Sequence, residues 1–151
     1  MEENISWREN ISQQAQDEMD KLFSAGIDIA FDLLSKNKEF YPFGLQIPKN
    51  GDVDIVAVHQ GEERPLSQDV ISDLKAVLSS SRNDFKAAAI VYDVKVNRKD
   101  DAIVVLMEHC EGEAIEVIAP YEISGIFKKV KLRLERSEAY FAEKYIWADE
   151  Q

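Results

Sequence analysis

The chain has 151 residues, 45% of them hydrophobic and 31% charged, and its 29 acidic against 18 basic side chains leave a net charge of −11. That balance fits one globular domain over residues 1–151 and excludes a disordered chain. The negative excess disfavours nucleic-acid backbones and anionic lipid surfaces as partners. The single cysteine, Cys110, excludes an internal disulfide and a zinc site built from several thiolates, and it suits a reducing compartment. Met1-Glu2-Glu3-Asn4 lacks the basic and apolar regions of a signal peptide, and no apolar run approaches the roughly 20 residues of a membrane span. The expected location is cytoplasmic.

The first predicted element is a helix from Trp7 to Lys36. Ser6-Trp7-Arg8-Glu9 fits a capping box, and Ile11, Ala15, Met19, Leu22, Phe23, Ile27, Ala30, Phe31 and Leu34 recur at helical spacing. A helix of that length predicts a bend or break near Ala25-Gly26 and a stop at Asn37. Asn50-Gly51 then signals a two-residue hairpin turn. It predicts Ile47 opposite Asp54, Leu45 opposite Val56 and Phe43 opposite Val58, with Tyr41, Phe43, Leu45, Ile47, Val56 and Val58 facing the core. Pro42 and Pro48 cannot donate ladder hydrogen bonds, so the first strand reads as an edge.

After a loop at Gly61–Pro65, a second helix is expected, capped at Ser67, with Val70, Ile71, Leu74, Val77 and Leu78 on its buried face. Alternation through Ile90, Tyr92, Val94 and Val96 predicts a strand. Ala102–Met107 reads as a central strand covered on both faces. Glu111-Gly112 turns the chain into a strand at Ala114–Ala119, and Lys129, Lys131 and Arg133 alternate with Val130, Leu132 and Leu134. The tail, Ser137–Trp147, reads as a helix whose aromatics either close the core or form a dimer surface. The predicted order is α-β-β-α-β-β-β-β-α. It describes an α+β fold with a mostly antiparallel sheet of about five to six strands and helices packed on it.

Candidate chemistry is sparse. His59 and His109 are the only histidines. His109 and Cys110 are adjacent, so on one strand they point to opposite faces and form no catalytic pair; Cys110 reads as a buried structural cysteine. Glu108-His109-Cys110-Glu111-Gly112-Glu113 offers potential metal ligands, but the spacing matches no zinc or calcium pattern and reads as a polar strand end. No glycine spacing cradles a phosphate. No catalytic residue, cofactor or metal site is expected. Lys128, Lys129, Lys131, Arg133 and Arg136 form the one basic run, read as charges that protect an outer strand.

Four segments carry a resemblance: Phe40-Tyr41-Pro42-Phe43-Gly44, Ala89-Ile90-Val91-Tyr92-Asp93-Val94, Asp101-Ala102-Ile103-Val104-Val105 and Ala119-Pro120-Tyr121-Glu122. In order and spacing they resemble a set of small, uncharacterised bacterial α+β proteins with a Y-P-F element before the first hairpin. Some similar small acidic proteins are immunity partners of bacterial toxins. The resemblance spans residues 38–125 and implies no functional residue.

Charge supplies the leading expectation. Residues 1–40 and 98–125 each carry a net charge of −5. They point to a non-enzymatic, immunity-type protein that neutralises a basic protein partner through Asp17, Glu18, Asp20, Asp28 and Asp32 on the first helix, with Asp100, Asp101, Glu111, Glu113 and Glu116. The alternatives are a structural or regulatory homodimer, and a small enzyme or ligand-binding domain with a pocket at His59 or His109.

Overall fold

A computed structural model describes residues 7–56, 66–95 and 101–148. The Gly61–Pro65 loop, Val58, His59 and Asp100 lie outside the described residues, as do Ser6 and its expected capping box.

A short 3-10 turn, Trp7–Asn10, leads into helix α1, Gln13–Asn37. Ser12 is the cap: its hydroxyl accepts from the Ala15 N–H at 3.1 Å. Helix α1 is not broken at Ala25-Gly26. Gly26 has a packing role, because a Cβ there would sit 3.0 Å from Val91 Cγ2, so the helix lies close against the sheet. Lys38, in the left-handed region at φ 66, ends the helix by donating its N–H to the Leu34 carbonyl. Gly26→Leu is expected to lower stability by about 2 kcal/mol, because overpacking outweighs the gain in helix propensity. Urea denaturation reads this directly.

The strands are β1 (Phe43–Pro48), β2 (Asp54–Val56), β3 (Phe85–Val94), β4 (Ala102–His109), β5 (Ala114–Ser124), β6 (Lys129–Leu132) and β7 (Glu138–Phe141), with helix α2 (Ser67–Ser80) between β2 and β3. They form one antiparallel sheet in the order β2-β1-β3-β4-β5-β6, with β7 also paired to β5. Strand β4 is buried along its whole length, as its apolar run requires. Among the described residues no helix is long and apolar enough to cross a membrane.

Several expectations change. The hairpin pairs Leu45 with Ile55 and Gly44 with Val56, one residue out of the expected register. The turn closes between Pro48 and Gly51, and neither Asn50 nor Gly51 takes positive φ. A one-residue slip exchanges faces, so Val56 packs toward α2 while Ile55 is exposed. Strand β1 is interior, between β2 and β3; its prolines sit just before it and at its last position, where they cost little pairing. Helix α2 is preceded by Leu66 as cap, and Ser67 is its first residue. The tail, Ser137–Trp147, forms strand β7 and an irregular segment, not a helix.

The two sheet faces carry separate cores. Helix α1 covers one, with Met19, Leu22, Leu34, Leu45, Val105 and Tyr121 buried beneath it. Helix α2 and the tail cover the other, with Leu74, Leu78, Phe85, Ile90, Ile146 and Trp147. Trp147 packs edge-on to Phe85 at 5.6 Å. Ile146 and Trp147 are therefore core residues and offer no dimer surface.

Candidate functional site

Three clusters of buried polar side chains are the first candidates. In the first, Glu108 points from β4 toward the tail and is fully buried. Its carboxylate accepts the backbone N–H groups of Tyr145, Ile146 and Trp147 at 2.8, 2.9 and 2.9 Å. The Tyr145 hydroxyl donates to the Leu106 carbonyl at 2.8 Å. This cluster anchors the tail.

The second cluster joins α1 to the other face of the sheet. Glu18 Oε1 lies 2.7 Å from His109 Nε2, and its Oε2 lies 2.7 Å from Lys86 Nζ. Lys86 stands at a register shift: Ile47 pairs with Ala87 and Pro48 with Phe85. This bulge turns Lys86 toward α1. His109 Nδ1 accepts the Glu111 N–H at 3.1 Å, so Nε2 carries the proton and donates to Glu18. Burial opposes ionisation of Glu18, but the hydrogen bonds from His109, Lys86 and Gln14 outweigh it and hold the carboxyl below its ordinary range. Both nitrogens of His109 are engaged and the ring is buried, which leaves it no free site for proton transfer.

Cys110 is exposed, not buried as expected. Burial of part of its surface and the charges of Glu111 and Glu18 push its thiol up, so at neutral pH it is a protonated, weak nucleophile. Glu111 accepts from the Ser12 N–H at 3.0 Å and hydroxyl at 2.9 Å, which ties the β4–β5 turn to the start of α1. These bonds hold its carboxyl below the ordinary range. The Glu108–Glu113 run is thus a structural junction between tail, helix and sheet.

The third cluster lies at the other end of α1. Tyr121 donates its hydroxyl to Asp93 Oδ1 at 2.6 Å, and Lys95 Nζ stands 3.6 Å from Asp93 and 3.8 Å from Asp101. Burial pushes the Asp93 carboxyl up, against the opposing pull of Tyr121 and Lys95. Burial and the adjacent carboxylates push the Tyr121 hydroxyl far above its ordinary value. Asp93 and Lys95 border an open groove of about 590 Å³ beside the C-terminal half of α1, lined mainly by Ile29, Leu33, Phe40, Tyr41, Phe43 and Ile55. Tyr41, expected in the core, is 47% exposed on this groove. The register slip and the placement of Tyr41 ahead of β1 open the groove, and neither was evident from residue order.

The nine acidic candidates among the described residues do not form one surface. Asp17, Asp20, Asp28 and Asp32 are exposed on the outer side of α1, within about one third of its circumference and over roughly 22 Å. Arg8 clamps Asp20 at 2.6 and 2.9 Å, and Lys36 pairs with Asp32 at 3.1 Å. Glu18 turns inward and leaves the set. Glu113 and Asp101 are partly buried. Glu116 is partly buried on the opposite sheet face, where it accepts the Tyr92 hydroxyl at 3.4 Å; burial and Glu116 push that hydroxyl up to about 12. Of the basic run, Lys128 lies in the β5–β6 turn, Lys129 and Lys131 on strand β6, and Arg133 and Arg136 beyond it, with Arg133 bound to Glu122 at 3.2 Å.

Sequence reasoning missed the roles of Glu108, Asp93, Lys95 and Tyr121. The available signal was a carboxylate at the end of an apolar run in one case, and in the other a strand aspartate directly following Tyr92. No family model matches the chain, and no curated protein or solved structure shows significant similarity to it.

Proposed function

We propose that this protein is a non-enzymatic binding protein that neutralises a basic protein partner, with the outer face of α1 as its contact surface. One observation carries the reading: Asp17, Asp20, Asp28 and Asp32 stand exposed on one side of a helix that the sheet holds rigid, in a chain of net charge −11. The face is predominantly acidic, and Arg8 on Asp20 and Lys36 on Asp32 are exposed pairs that a basic partner would compete for. Its fixed spacing lowers the ordering cost of binding and steers an oppositely charged surface into register. The engagement of Glu108, Glu18 and His109 in structural hydrogen bonds supports binding over catalysis.

Immobilised full-length protein is expected to retain a basic partner at stoichiometric level in low salt. That partner should be released as ionic strength rises toward about 1 M, where the screening length falls to about 3 Å. Retention indifferent to salt, or a partner whose contact surface is not basic, overturns the proposal.

A further inference from the structure

The most exposed large apolar side chains among the described residues are Ile126, 91% exposed, and Phe127, 83% exposed. They occupy the two corners of the β5–β6 turn, which closes with the Lys128 N–H on the Gly125 carbonyl at 3.2 Å. Turn corners favour glycine, proline, asparagine and aspartate, each for a conformational reason, and isoleucine and phenylalanine supply none of them. Gly125 at φ 83 and Lys128 at φ 54 flank the corners in the left-handed region, which a lysine seldom adopts. Residue choice and backbone conformation both cost stability here, so folding does not account for the tip.

Around the tip the charge reverses. Residues 126–136 carry five basic side chains against one acidic, a net +4 in a chain of net −11. Lys128 and Lys129 are exposed at the base of the tip, and Lys38, at the end of α1, stands beside them. Two nearby acids are already paired, Glu122 with Arg133 at 3.2 Å and Asp32 with Lys36 at 3.1 Å. The charge of the whole chain repels an anionic surface from afar. At physiological ionic strength, however, charges beyond about 8 Å are largely screened, so the face in contact decides.

We infer that the β5–β6 tip docks this protein on an anionic lipid bilayer, with Ile126 and Phe127 entering the interface and Lys128 and Lys129 meeting the headgroups. The lysine stems run along the apolar tip while their ammonium groups stay at headgroup level. A convex tip of this kind needs no preformed complement in a lipid interface. Two side chains supply at most about 400 Å², well short of the roughly 1,000 Å² of a specific protein contact. A single small tip gives weak, reversible binding that salt weakens further.

Cosedimentation of the purified full-length chain with phosphatidylcholine vesicles containing about one third phosphatidylserine tests this. No protein partner is present, so the outcome is independent of the basic-partner reading. Wild type is expected to be half bound at on the order of 1 mM lipid in low salt, and to ignore vesicles of phosphatidylcholine alone. Ile126→Ser/Phe127→Ser should lose binding. Lys128→Gln/Lys129→Gln should weaken it about 25-fold, since each lysine near such a surface contributes roughly a fivefold factor. All four positions are exposed, so both variants should fold, as circular dichroism verifies. Phe127→Trp should keep binding and shift its emission to the blue on the vesicles, against a background of Trp7 and Trp147 that are already buried. Three results overturn the inference: no binding of wild type to the anionic vesicles, binding indifferent to lipid charge, or binding that survives the loss of Ile126 and Phe127.

Discussion

Glu108→Ala is expected to cost about 4 kcal/mol of stability, because it leaves three buried backbone N–H groups without an acceptor and opens a cavity beneath the tail. In a chain of this size that corresponds to a fall in melting temperature of about 10 °C. Glu108→Gln should cost less. It keeps an oxygen for the Tyr145 and Ile146 amides, but turns an N–H toward that of Trp147. Hydrogen exchange supplies the specific readout: protection of the Tyr145, Ile146 and Trp147 amides should fall further than that of β3 and β4. Equal loss of protection everywhere would show that the tail and sheet open as one unit, and an unchanged melting temperature would remove Glu108 as the anchor.

The second large effect falls on Glu18. Glu18→Ala strands Lys86 and the His109 Nε2–H beneath α1, and about 3 kcal/mol of destabilisation is expected at neutral pH. The pH dependence carries the mechanism. The folded-state pKa of Glu18 lies below the ordinary 4.5. Its ionised form therefore contributes stability that is fully present above about pH 4.5 and is lost as pH falls through the folded value. Thermal unfolding between about pH 3 and 7 should show a steeper acid-side decline in wild type than in Glu18→Ala. Parallel profiles would mean that ionisation of Glu18 contributes nothing to folding.

The elements that carry both residues were readable in the sequence, although the roles of the two carboxylates were not. Periodicity located α1, α2 and the strands, because apolar side chains at a spacing of 3.6 or 2 have one face to bury. Ala102–Met107 is apolar throughout, and it became a strand buried on both faces. Local signals misled where tertiary pairing competed with them. Asn50-Gly51 favours a two-residue turn, yet the pairing of β1 with β3 and the burial of Phe43, Leu45 and Ile47 set the register instead. Tyr140, Tyr145 and Trp147 suggested a helix, but β5 offered an open edge to Glu138–Phe141 and Glu108 captured the next amides.

The polar clusters were less legible for a related reason. Glu18 has the same sequence character as Asp17 and Asp20. Only the orientation of α1 against Lys86 and His109, about seventy to ninety residues onward, separates a buried structural carboxylate from its exposed neighbours. The expected acidic surface at 98–122 dissolved likewise, since Glu116 and Asp101 follow the alternation and turns of the sheet. The four α1 aspartates remain as the exposed set, and the binding proposal rests on them.

The most direct test of that proposal is a capture experiment comparing wild type with the fourfold variant Asp17→Asn/Asp20→Asn/Asp28→Asn/Asp32→Asn at physiological salt. Surface changes of this kind leave folding nearly intact, whereas the loss of four complementary charges is expected to weaken a basic partner by about 100-fold or more. A basic partner held by wild type and lost by the variant is the predicted result. Equal capture by the two proteins would contradict the assignment of the α1 face.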